Sequence, residues 1–271
     1  MGKKETHEQA LRTLLGEWLE TDVARRLTEY LVSNSNLPGP RANLELAAAF
    51  MDAVEGYSEQ EPDRLWELCA QMAQVPADAA PANDPQEFIP FCGTAGLGAI
   101  GSVSPEILDQ ALATLKRLAN DPRWRMREAV RMGLQRVMSM RRQAVWDELG
   151  KWIPEGSLLE MRAAAAAVAE PALLKDRDNA RLALEMHRDI LERVLGTQER
   201  KSEDFRVLRK ALGYTLSIVV RADPQDGFEF MAQLAKSGDS DARWIVRENL
   251  KKSRLVKNYP EQVAAVNRTL Q

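Results

Sequence analysis

Four stretches of the chain carry one helical core: DPRWRMREAVRMGL (121–134), GSLLEMRAAAAAV (156–168), EDFRVLRKALGYTL (203–216) and DARWIVRENLKKSR (241–254). Aligned on Arg127, Arg162, Arg209 and Arg247, each has an apolar residue just before the arginine (Met126, Met161, Leu208, Val246). Three positions after it stands Val130, Ala165, Leu212 or Leu250. The arginines are 35, 47 and 38 residues apart, and amphipathic segments at roughly 106–119, 142–152, 178–196 and 225–237 lie between them. This is a helix–turn–helix unit recurring at about 40 residues. One such unit cannot cover its own apolar stripe, so neighbours must stack into a shared core.

The rest of the chain is helical in the same sense. Apolar residues recur at three and four, as in Leu11, Leu14, Leu15, Trp18, Leu19 and again in Leu108, Ala111, Leu112, Leu115, Leu118. Ala, Leu, Arg, Glu and Met, good helix formers, dominate, and aromatic residues make up only 6%. Ser104-Pro105, Asp121-Pro122 and Asp223-Pro224 each offer an N-cap acceptor followed by proline at the first helical position. TLSIVV (215–220) has strand composition, but it continues the helical series Phe205, Leu208, Leu212, Leu216, Val219. The expected fold class is all-α.

Over about 105–257 the Asp, hydrophobic-Arg, small-or-apolar pattern resembles HEAT repeats. The resemblance implies a right-handed α-α superhelix of the HEAT-like, armadillo type. The N-terminal part is less regular, with helices expected at 7–20, 22–33, 41–55 and 62–74. Pro38-Gly39-Pro40 breaks the second from the third, and VPADAAPANDPQ (75–86) reads as a loop. A helix of small residues follows at 87–101. The expected organisation is therefore a helical cap or irregular repeats over 1–75, a proline-rich loop at 76–86 and a repeat solenoid over 87–271.

Charge is segregated along the chain. Residues 1–120 carry 9 basic and 18 acidic side chains, whereas the remainder carries 28 and 22. The positives concentrate at 121–142, 200–221 and 239–257, which together hold 19 basic and 7 acidic residues. In a HEAT-like solenoid the second helix of each pair lines the concave face, so this predicts a basic groove that attracts phosphates or an acidic protein surface. The groove candidates are Arg123, Trp124, Arg125, Arg131, Arg206, Lys210, Arg243, Trp244, Lys251, Lys252 and Arg254. The repeated Arg127, Arg162, Arg209 and Arg247 are instead expected to staple neighbouring units by pairing with carboxylates such as Asp121 and Asp241, since structural ion pairs outnumber functional ones.

A narrower resemblance lies in EDFRVLRKALGYTLSIVVRADPQDGFEF (203–230), with Arg209-Lys210, Gly213-Tyr214 and Asp223-Pro224. This stretch is similar to the DNA alkylation repair proteins of HEAT-like fold, glycosylases that release alkylated purines from duplex DNA. The similarity implies that Trp124, Trp146, Trp152, Arg206 and Arg209 hold a DNA backbone. The family's catalytic aspartate follows a Trp-Asp pair in a W-D-x-x-D pattern. Here WDELGKW places Gly150 at that position, leaving Asp147 and Glu148 as the only nearby carboxylates. A glycosylase needs a carboxylate beside the sugar as the base departs. The favoured expectation is a non-enzymatic repeat protein whose groove binds a protein or nucleic acid, DNA first among the latter. The alternative is a glycosylase or a silent relative.

Other motifs point to structure more than chemistry. GLGAIG (96–101) matches G-x-G-x-x-G, which binds dinucleotides only between a strand and a helix; without a βαβ unit, close helix packing is the expected reason. Cys92 and His187 form a nucleophile–base pair only if the fold joins them, and His187 reads as a surface residue on a polar stripe. Residues 163–167 are an alanine run, expected as a close-packed helix face, and MGKKET fits the myristoylation pattern. Two cysteines, no export signal and no long apolar run point to a cytosolic protein with no membrane association. No cofactor or metal is expected, because two histidines and two cysteines form no ligand cluster.

Overall fold

The structure, a computed structural model, describes residues 3–270; the Met1-Gly2 start of the myristoylation-like motif lies outside the described residues. Within them every regular element is helical. The chain divides into two compact units, one up to Trp146 and one from Asp147.

The first unit holds α1 (Lys3–Thr21), α2 (Arg25–Ser33), α3 (Leu44–Ser58), α4 (Pro62–Ala73), α5 (Phe88–Val103), α6 (Leu108–Leu118) and α7 (Trp124–Met140). Helices two apart in the chain lie side by side: α1 on α3, α3 on α5, and α5 on α7. The intervening α4 and α6 also pack on α5. The element at the centre is α5, buried on every side from Phe91 to Ser102. Glycine permits this. A Cβ at Gly93 would come 2.6 Å from the Ala73 nitrogen, one at Gly96 2.6 Å from Cys69 Sγ, and one at Gly101 2.6 Å from Ala111 Cβ. The GLGAIG motif is thus the crossing surface of a core helix, as close packing requires, and no strand precedes it.

The proline-rich loop is not a boundary between compact units. Helices α3 and α4 before it and α5 after it share one core. The loop itself is pinned by two arginines from the start of α7. Arg123 donates to the carbonyls of Val75 (3.1 Å) and Ala80 (3.2 Å). Arg125 donates to the Gly39 carbonyl (2.6 Å) and Asn83 Oδ1 (3.1 Å), and pairs with the fully buried Glu87 at 3.0 Å.

Helix α8 (Arg142–Glu155) carries the chain into the second unit. There follow α9 (Leu158–Val168), α10 (Arg177–Gly196), α11 (Glu203–Ala222), α12 (Pro224–Lys236), α13 (Ser240–Leu250), α14 (Ser253–Val256) and α15 (Pro260–Thr269). The alternation recurs, with α9 beside α11 and α11 beside α13, while α10 and α12 pack against them. The alanine run of α9 is buried, so it packs as expected.

Local signals were read with uneven success. TLSIVV lies inside α11 as expected, and α9 opens on a capping box of Ser157 and Glu160 that the sequence reading did not include. Pro224 is at the first turn of α12, but Pro105 and Pro122 precede their helices, which begin at Leu108 and Trp124. At the latter the Asp121 carboxylate accepts from the Arg123 backbone N–H at 2.8 Å, closing a turn first. The helix expected to run through 254 stops at Leu250 and restarts at Ser253.

Candidate functional site

In the second unit α11 and α13 approach closely because Gly213 presents no side chain; a Cβ there would lie 3.0 Å from Trp244 Cζ3. Trp244 fills the space and carries the Arg209 guanidinium 3.9 Å above its ring. Arg209 Nε also lies 2.8 Å from Asp241 Oδ1, off the N–H axis, so the two form a charge pair rather than an aligned hydrogen bond. The buried Asn249 joins the helices from within. It donates to the Leu212 carbonyl (2.8 Å), and its Oδ1 accepts from the Ser217 backbone N–H (2.7 Å).

The break after Leu250 then turns the chain back over α11. Arg254, on α14, donates to Tyr214 Oη (2.9 Å) and Ser217 Oγ (3.0 Å), with its guanidinium 4.5 Å above the Tyr214 ring. Lys252 Nζ lies 5.6 Å from the same ring. Tyr214 is nonetheless 47% exposed. Along α11 it sits four residues after the exposed Lys210 and seven before the exposed Arg221, so the ring stands within a line of cations on one helix. Lys210, Arg221, Lys252 and Arg254 make no ion pair with a carboxylate among the described residues. Glu248 on α13 is held below the usual carboxylate range by the Lys251 hydrogen bond first, with further help from Lys252 and Arg209.

The basic run at 121–142 has another fate, and two groove candidates there are corrected. Arg123 is buried against Asp121 (2.7 Å) and Arg125 against Glu87, so neither lines a surface. Arg131 pairs with Glu128, and Arg136 with Asp52 and Glu55. Much of the surplus positive charge of this segment thus meets acids inside the first unit, including three from the acidic first 120 residues. Trp124 remains 48% exposed, with the Arg125 guanidinium 4.4 Å over its ring.

The remaining candidates are placed as follows. Arg127 donates to the carbonyls of Asp121 (2.8 Å) and Pro122 (3.0 Å). Arg162 is half-buried on α9. Arg206 is exposed beside Glu203, Lys251 pairs with Glu248, and Arg243 donates to the Leu270 carbonyl. Arg247 is exposed beside a shallow depression shared with Leu250, Lys251, Asn267 and Leu270, and meets no carboxylate among the described residues. Asp241 does staple: it pairs with Arg209 (2.8 Å) as expected, and also with Arg200 (2.9 Å), an unforeseen partner that pairs with Asp239 (2.6 Å) as well. Trp146 and Trp152 are buried, so they hold no DNA backbone from the surface. Glu148 accepts from the Trp152 indole N–H (3.0 Å) and pairs with Lys151, while Asp147 is exposed.

Cys92 and His187 are both fully buried, which corrects the surface reading of His187. Burial pushes the Cys92 thiol well above its usual range and lowers His187 to about 4. His187 Nδ1 faces the Ala183 carbonyl (2.8 Å), which can only accept, so Nδ1 carries the proton. Nε2 then accepts from the Thr215 hydroxyl (3.0 Å). A solvent-inaccessible thiol and a neutral, saturated imidazole make no nucleophile–base pair. Among the described residues no group of His, Cys, Asp and Glu has the makings of a metal site, and no helix is long and apolar enough to cross a membrane.

Sequence reasoning missed Tyr214 as a site residue, although its spacing from Arg206 and Lys210 on one helical face was visible. It also missed Asn249 and Arg200, whose partners are distant in the chain. The chain matches no family model, no curated protein and no solved structure.

Proposed function

We propose that this chain is a HEAT-like helical-repeat binding protein that engages nucleic acid through the basic face of α11, α13 and α14. The packing of alternate helices on one another within each unit supports the repeat reading. The observation that carries the function is a set of cations without a salt bridge among the described residues: Lys252 and Arg254 over the exposed Tyr214, with Lys210 and Arg221 along the same helix, α11. Unneutralised cations along one face attract a polyanion and release its counterions on binding. Binding rather than base removal is favoured because Glu148 is engaged with Trp152 and Lys151, and the position of the glycosylase carboxylate is Gly150. Two buried free thiols fit a cytosolic setting.

The test is a polarisation titration of duplex DNA, single-stranded DNA and RNA across a salt series. Lys210→Glu with Lys252→Glu is expected to weaken binding to every nucleic acid bound. Even neutralising two phosphate contacts should flatten the salt slope by roughly 1.5–2. Unchanged nucleic-acid affinity in that variant would sink the reading and leave an acidic protein surface as the partner to seek.

A further inference from the structure

We infer that the basic face takes a single-stranded nucleic acid and stacks one unpaired base on Tyr214; this rests on the nucleic-acid reading above and narrows it. Contacts to phosphates alone need only cations, as at Lys210 and Arg221. An aromatic ring left 47% exposed in their midst does something cations cannot. It offers a flat face that a base reaches only when it is outside a duplex.

The ring is prepared for that role. Arg254 grips it at two points, by hydrogen bond to the hydroxyl (2.9 Å) and by its guanidinium 4.5 Å above the ring, while 47% of the residue stays open to a ligand. Arg254 is itself tied to Ser217 Oγ (3.0 Å), whose hydroxyl donates to the Tyr214 carbonyl (2.8 Å). A ring held on both its polar and its aromatic side loses little freedom on binding, so stacking retains most of its free energy. The ammonium of Lys252, 5.6 Å from the ring centre, is within reach of the phosphate belonging to a base stacked there. DNA and RNA single strands share this chemistry.

The experiment titrates the full chain with labelled oligothymidylate, oligouridylate, an abasic strand of equal length and a duplex, at one salt concentration. The two base-bearing single strands are expected to bind more tightly than the abasic strand and the duplex; a difference between them reports on the 2′-hydroxyl and the thymine methyl together. Tyr214→Ala should lower oligothymidylate affinity about tenfold, with abasic-strand affinity changing by less than about twofold. Tyr214→Phe, which keeps the ring, should retain most of it, with circular dichroism confirming that both variants fold. If the abasic strand or duplex binds as tightly as oligothymidylate, or Tyr214→Ala costs nothing, the stacking inference is overturned while the nucleic-acid reading stands. If no nucleic acid binds at all, both fall.

Discussion

Gly98 and Gly133 meet backbone to backbone where α5 crosses α7: a Cβ built on Gly98 would lie 2.3 Å from the Gly133 Cα and 2.6 Å from its carbonyl oxygen. Neither main chain can yield without moving a whole helix. We expect Gly98→Ala to destabilise the first unit by about 3 kcal/mol, at the upper end of ordinary overpacking. Urea unfolding of Gly98→Ala beside Gly150→Ala checks this. The second site has nothing within 4 Å and should be neutral or slightly stabilising.

The Arg125–Glu87 pair gives a second test. Both side chains are buried, at 3% and 0% exposure, so removing one partner strands the other's charge. Arg125→Ala should cost about 3–5 kcal/mol. The loop around Asn83 should then be cut faster by protease, since its ties to Arg125 are gone. Replacing both partners with methionine should cost less than the single change; an equal or larger cost would contradict the stranded-charge explanation.

Acid should find His187. Its folded-state pKa of about 4 lies below the ordinary 6.5, so the unfolded chain takes up the proton first as pH falls. The stability held by the neutral imidazole is complete above about pH 6.5 and is lost as pH drops toward 4. The loss amounts to about 3 kcal/mol. Unfolding free energies measured between pH 7 and 4 should therefore fall less steeply in His187→Gln than in the parent chain.

Asn249 supplies both a donor and an acceptor to α11 from inside the second unit. Asn249→Ala removes both bonds to α11, each worth about 0.5–1.5 kcal/mol net. Loss of stability should be accompanied by faster hydrogen exchange at the Ser217 amide. Unaltered exchange there would show that the amide has another partner.

Helices were legible because their signal is local. The apolar period placed most of them, whereas of the three Asp/Ser-Pro starts only Asp223-Pro224 opens its helix, and the small-residue motif was correctly tied to packing. The fate of the charges was not legible, because neutralising partners come from far along the chain: Glu87 for Arg125, and Asp52 and Glu55 for Arg136. Charge segregated in sequence became charge complementarity within the first unit. His187 was misjudged because its burial depends on α11 lying over it and presenting Thr215. At the candidate face the cations of α11 could be read from helical spacing. The convergence of Lys252 and Arg254 on Tyr214 could not, since it depends on the helix stopping at Leu250.

A helix enclosed on all sides, as α5 is, has consequences for how the molecule can be cut. Repeat arrays ordinarily tolerate trimming from an end, because each module leans only on the next. Here a fragment beginning after the proline-rich stretch would expose the α5 surfaces that α3 and α4 cover, and a fragment ending before it would lack the rod on which those helices close. Neither piece would stand by itself, and co-expressed halves would be soluble only by finding each other.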